Sequence, residues 1–213
     1  MKIALSGKKK FYTFAYQCYL MEDEMDNKRM ESLKGMFFMA MPELNDPNFH
    51  QTVTCICQHT SEGAVGLVVN RVHPYLVGKD IFKALNIKCC QEIESLPIHV
   101  GGPVHNSEIF VLHGYPFDWE GCYMITDGFA MSNSMSMLRA IANGEGPESF
   151  IVLLGCAGWS AGQIETEIKN NVWLFSSMCK DILFDIPVER RWRELLKKIG
   201  VDPVLLTSTA GHS

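Results

Sequence analysis

Strand-period alternation is clearest in "HQTVTCICQH", where Val53, Cys55, Cys57 and His59 fall on one face and Thr52, Thr54, Ile56 and Gln58 on the other. The polar cluster "TSEG" turns the chain and "AVGLVVN" runs back, which predicts a β-hairpin with a longer loop. Gly66 inside the second strand predicts a bulge or a close backbone approach. Before the hairpin, "MFFMAMP" is a short apolar strand ending at Pro42, and "ELNDPNF" is a turn cluster. Farther on, "LPIHVGGPVHNSEIFVLHG" predicts two strands around Gly101, Gly102 and Pro103, and "CYMIT" predicts another. "SFIVLLG" is a continuous apolar run of strand length, the pattern of a strand buried on both faces.

Helical spacing appears in four places. "VGKDIFKALNI" sets Ile81, Phe82 and Leu85 on one side of a short helix. "MSNSMSMLRAIANGEGP" turns Met135, Leu138, Ile141 and Ala142 inward and closes at Gly144. Ala161, Ile164, Ile168 and Val172 continue a buried face after the strand at 150–154, with Glu165 and Lys169 as an exposed i,i+4 pair. "DILFDIPVERRWRELLKKIGVDP" predicts a short strand and then a helix whose apolar stripe is Val188, Trp192, Leu195 and Ile199. Strands dominate the first half and mix with helices in the second, so the pattern predicts one α+β or mixed α/β domain. Residues 1–35 stand apart as an N-terminal extension or an over-called start, with 36–213 as the domain.

Composition narrows the function classes. A net charge of −5 gives no footprint for phosphate backbones, which disfavours direct nucleic-acid contact. Charged residues interrupt every apolar run before bilayer-spanning length, so no membrane helix is predicted and a cytoplasmic location is expected. The eight cysteines contain no C-x-x-C and read as reduced thiols, Cys89 and Cys90 included. The basic run Arg190, Arg191 and Arg193 is expected on the solvent side of the Trp192 stripe.

The stretch "GWSAG" has the G-x-S-x-G spacing of a nucleophile elbow between a strand and a helix. A hydrolase would use Ser160 with His212, the only histidine after it. The competing reading is a capping box, S-x-x-Q: Ser160 accepts from the Gln163 N–H, and Gln163 reaches back to the Ser160 N–H. Glycines at 155 and 158 then serve a tight strand-to-helix connection. Cys55, Cys57 and His59 on one strand face are a metal candidate only if His50 or His99 completes the set. No phosphate-loop or dinucleotide fingerprint is present, and no cofactor is expected. An exposed Trp159 would point to ligand or partner contact, and a buried one to core.

The ordered blocks "MAMPELNDPNFHQTV", "CQHTSEGAVGLVVNR", "HVGGPV", "GEGPESFIVLLGCAGWSAGQIETEIKNNVWL", "LFDIPVERRWRELLKKIGVDP" and "STAGH" resemble the AlgH/YqgE family of bacterial proteins over about residues 36–213. The resemblance implies a single α+β domain with a bent or bifurcated, mixed, partly barrel-like sheet surrounded by helices. It implies no established activity or cofactor, and some members carry the label of transcriptional regulator. Its motif positions include His59, Gly66, Asn70, Gly101, Gly102, Pro103, Trp159, Gly162, Gln163, Glu167, Trp173, Arg191 and Trp192. At the elbow the family pattern is A-G-W-x-x-G-Q-L-E, in which the position of Ser160 is not confined to serine. The expected function is therefore a non-enzymatic regulatory or binding protein. Its ligand or partner surface gathers His59, Asn70, Gly101, Gly102, Pro103, Trp159, Gly162 and Gln163, and takes a protein or a small molecule.

Overall fold

The computed structural model describes residues 32–42, 44, 46–203 and 206. His212 and residues 1–31 of the expected extension lie outside them. The chain forms β1 (Met36–Ala40), β2 (Val53–Thr60), β3 (Gly63–Val68), β4 (Val72–Val77), α1 (Gly78–Ala84), α2 (Gln91–Glu94), β5 (Pro97–Val100) and β6 (Val104–His113). It continues through β7 (Tyr123–Thr126), β8 (Phe129–Ser132), α3 (Met135–Ala142), β9 (Phe150–Ser160), α4 (Gln163–Lys169), β10 (Trp173–Ser177), a π-helical turn at Asp181–Asp185 and α5 (Arg191–Lys198).

One mixed sheet organises these elements, and it branches at β9. Eight strands run in the order β10-β1-β2-β3-β9-β6-β8-β7, while β5 pairs with β9 and carries β4. Antiparallel β6 pairs with β9 from Phe150 to Cys156, parallel β5 pairs with it at Val152–Leu154, and antiparallel β3 pairs with it at Ala157–Ser160. The handover from β5 to β3 falls at Gly101. Its N–H donates to the Leu154 carbonyl at 2.7 Å, and its carbonyl accepts from the Val68 N–H at 2.8 Å. A Cβ on Gly101 would lie 2.2 Å from the Gly155 oxygen, and one on Gly102 would lie 2.3 Å from the Cys156 carbonyl carbon. Only glycines admit this approach of one backbone to another. The α+β class and the bifurcated mixed sheet expected from the resemblance are present, and the sheet is open rather than a closed barrel. It bends enough that the Lys34 ammonium, just before β1, sits 4.5 Å from the ring centre of Tyr123 on β7.

Both faces of the sheet are covered, as the two-layer logic of α+β folds requires. On one face Phe37, Met39, Cys55, Leu67 and Leu153 pack with Trp192, Leu195 and Leu196 of α5. On the other, Phe38, Ile56, Ala64, Trp159 and Trp173 pack with Ile164 of α4. Beyond the branch, Ile98, Val111 and Val152 meet Phe82 of α1 and Met137, Leu138 and Ile141 of α3. No helix among the described residues is long and apolar enough to cross a membrane.

Several sequence expectations are corrected. β9 does not stop at Leu154: it runs through Gly155 and Gly158 to Ser160, because β6 and β3 supply ladder partners along its length. On α3 the inward methionine is Met137, while Met135 is 42% exposed. Residues 181–185 form a π-helical turn rather than a strand. Arg191 is buried, with Nε donating to the Ile186 carbonyl at 3.1 Å and Nη1 to the Val69 carbonyl. It ties α5 to the end of β3 instead of facing solvent with its neighbours.

Candidate functional site

The candidate residues separate into two groups, toward opposite ends of β3. Near its start, His59, Ala64 and Trp159 stand in register across β2, β3 and β9. Cross-strand partners share a face, and α4 packs there. Near its end lie Asn70 and the Gly101–Pro103 loop. The Asn70 amide closes this second group: Oδ1 accepts from the Val53 N–H at 2.7 Å and Nδ2 donates to the Gln51 carbonyl at 2.8 Å. Gly101 and Gly102 are buried there and Pro103 is exposed.

A β-bulge decides where His59 points. The register of β2 against β3 shifts between Ile56 and Gln58, so strict alternation fails at Cys57. Cys55 and Cys57 face the α5 side, whereas His59 faces α4. The three residues proposed to share one strand face therefore do not, and the sequence's metal candidate is split. Burial pushes the Cys57 thiol up to about 12, with the nearby Cys156 adding to the rise. Cys55 is raised well above its ordinary value, again first by burial. Neither thiol is poised to become a thiolate ligand or nucleophile. Among the described residues no group of three or more His, Cys, Asp and Glu side chains is placed to hold a metal ion.

His59 is held at both ring nitrogens. Nδ1 accepts the Leu33 N–H at 3.1 Å, which leaves the proton on Nε2 to be donated to Glu165 Oε1 at 2.8 Å. Glu165 thus bonds across the molecule rather than only serving its expected exposed pairing with Lys169. Burial alone would raise its carboxyl. Its own helix N–H, the hydrogen bond from His59 and the charge of Lys169 outweigh that and hold it below the usual range.

Beside this pair lies a denser junction. The Glu167 carboxylate accepts from Trp159 Nε1 at 3.0 Å and Trp173 Nε1 at 2.7 Å on Oε2, and from Gln163 Nε2 at 2.9 Å on Oε1. Gln163 in turn accepts the Ser160 N–H at 3.0 Å through Oε1. The two indoles meet edge to face with ring centres 6.1 Å apart, and Phe49 packs against both. Trp159 and Trp173 are 6% and 4% exposed. Trp159 is therefore a core residue with a polar handle, the arrangement a buried indole needs. The Trp159 ring also fills the space over Gly66, where a Cβ would come within 3.1 Å of it. Gly66 thus serves the close approach expected of it.

Ser160 is the last residue of β9, exposed, and paired with Gly63. Side chains alternate along a strand, so Ser160 points away from the face that carries Trp159 and His59. The capping box forms only by its Gln163 half. The N-cap of α4 is Gly162, left-handed at φ 72°, and the first buried residue of α4 is Ile164, with Ala161 exposed. Sequence reading missed the role of Glu167. Its signal was the spacing from Gln163 (i+4) and Trp159 (i+8), which aligns one carboxylate with both once β9 and α4 form an antiparallel corner.

The branched mixed sheet with helices packed on both faces makes this an α+β domain. Residues 37–204 match the family model described as AlgH-like, of a domain of unknown function, and the chain belongs to that family. It is 50% identical to a UPF0301 protein of Desulforapulum autotrophicum over 177 residues, covering 83% of this chain and 94% of that protein. A UPF0301 protein of Chromohalobacter salexigens is 43% identical, covering 86% of this chain and all of the relative. The solution structure of AlgH from Pseudomonas aeruginosa superposes with a TM-score of 0.71 at 40% identity, covering 84% of this chain and 95% of that one. A Corynebacterium diphtheriae protein shares the fold at a TM-score of 0.63 and 16% identity, covering 79% and 87%.

Proposed function

We propose that this AlgH-like protein is a non-enzymatic regulatory or binding protein that works through a protein or small-molecule partner at the β9–α4 corner. The observation that carries the reading is the internal pairing of the corner's polar groups. His59, Gln163 and Glu167 spend their hydrogen bonds on the protein itself, leaving a fixed outer face rather than a reactive pocket. That face presents Ala161, Gly162, Gln163, Thr166 and Lys169 to solvent. Apart from Gly162 and its two chain neighbours, no described atom lies within 4 Å of a Cβ position at Gly162, so a partner can approach the backbone closely there. The net charge of −5 favours a protein or a small molecule over a nucleic acid, so regulation of transcription would run through that partner.

The test is affinity capture from cell lysate with the intact chain and with Thr166→Glu and Lys169→Glu, two exposed changes outside the Glu167 junction. The reading expects a partner held by the wild type and lost by both variants at unchanged melting temperature. Equal capture by all three, or loss only when the fold melts, would refute it.

A further inference from the structure

Away from this corner, on the far limb of the sheet, a cysteine and a histidine meet in an arrangement that the proposed function does not use. Cys122 precedes β7 and is half-buried, and its Sγ lies 3.8 Å from Nε2 of His113, at the end of β6. His113 is fully buried. Its Nδ1 lies 2.7 Å from the Gly114 carbonyl, an acceptor only, so Nδ1 carries the proton and Nε2 offers its lone pair to the thiol. Phe117 packs on the imidazole with ring centres 6.0 Å apart and helps fix its orientation. A nucleophile, a base within reach and a third group orienting that base are the parts of an assisted thiol. We propose that Cys122 and His113 form a reactive site that exchanges with small-molecule disulfides.

The step balances without a further reagent. Cys122 sulfur bonds to one sulfur of the disulfide as His113 Nε2 takes the thiol proton. The substrate S–S bond breaks, its second sulfur leaves as a thiolate, and that thiolate takes the proton back from His113. The protein thiol is oxidised to a mixed disulfide and the substrate is reduced by one thiol equivalent. Burial and then the charge of Asp118 push the Cys122 thiol up, and burial pushes His113 down against its bond to Gly114. The resting pair is thus thiol and neutral imidazole, and general-base attack differs from reaction of a standing thiolate. Asp118 also favours a cationic disulfide over an anionic one.

The test exposes the intact protein to cystamine and to hydroxyethyl disulfide and follows adducts at each cysteine by peptide mass spectrometry. Cys122 should react faster than the similarly half-buried Cys90 and Cys179, with cystamine ahead of the neutral reagent. With His113 as base, the Cys122 rate should be nearly level from about pH 7 to about pH 8.5, because its imidazole is already unprotonated. A thiolate route would instead climb about tenfold per pH unit over that range. His113→Gln should slow the reaction about a hundredfold and restore the climbing profile. The wild-type profile needs no variant and so stands even if His113→Gln misfolds. A Cys122 rate no greater than that of Cys90, or one that climbs with pH in the wild type, would overturn the proposal.

Discussion

Trp173 Nε1 lies 2.7 Å from Glu167 Oε2, and this contact fastens α4 to the β10 edge of the sheet. The same oxygen takes the Trp159 indole from β9. One carboxylate therefore joins three elements that are not neighbours in a single ladder.

Removing that carboxylate leaves two buried indole N–H groups without an acceptor. Glu167→Ala should cost about 2 to 4 kcal/mol, read from the urea midpoint, with altered tryptophan fluorescence in the native baseline. Glu167→Gln keeps an acceptor oxygen and should cost about half as much. Equal stability of Glu167→Ala and the wild type would show that the junction contributes nothing.

Acid should weaken the fold through His99. Burial first, and the nearby Arg191 charge second, lower its pKa from 6.5 to about 4. The unfolded chain then binds a proton that the folded chain refuses, so stability is complete above about pH 6.5 and falls as pH drops toward 4. The full span corresponds to about 3 kcal/mol. His99 Nδ1 has no hydrogen-bond partner, so an apolar replacement gives up only the ring's bond to the Val152 backbone. In His99→Leu the slope of stability against pH between 4 and 6.5 should flatten, as measured by urea titrations across that range. An unchanged slope would remove His99 from the account.

At the branch point, Gly102→Ala should prevent folding or cost more than about 3 kcal/mol, because both sides of the clash are backbone. Gly162→Ala meets no neighbour and pays only for its left-handed φ, about 1 to 2 kcal/mol. Comparing the two by circular dichroism and thermal melting separates steric from conformational need. A mild Gly102→Ala would contradict the close backbone approach of Gly102 to Cys156.

Ser160→Ala should leave stability within about 0.5 kcal/mol of the wild type, because the cap bond runs through its backbone N–H. A fluorophosphonate probe should not label Ser160 in the wild type. Labelling that disappears in Ser160→Ala would revive the hydrolase reading.

Much of this architecture was written locally. Hydrophobic period marks α1, α3 and α5, because each buries one clear face, while β1 and the β2–β3 hairpin are legible as short apolar or alternating runs bounded by turn residues. β4, β8 and β10 carry no clear local signal, since short strands such as Trp173–Ser177 depend on a ladder partner far along the chain. The bulge that turns His59 toward α4 has no marker in "CICQH", and it reversed the face on which a metal reading depended. The buried Arg191 was unreadable for a similar reason: its acceptors, Val69 and Ile186, are backbone carbonyls that no side-chain pattern reports. In "GWSAGQIETEI" the strand-to-helix change was legible, but the shared carboxylate appears only when Trp173 arrives from the next strand.

Partner binding at the outer face of the β9–α4 corner is the most direct thing to measure. A photo-cross-linking amino acid at position 166, compared with one at position 88 before α2, tests it inside the cell. The account predicts a discrete cross-linked species from position 166 and none from position 88. Cross-linking at position 88 alone, or none at position 166 in a folded protein, would contradict it.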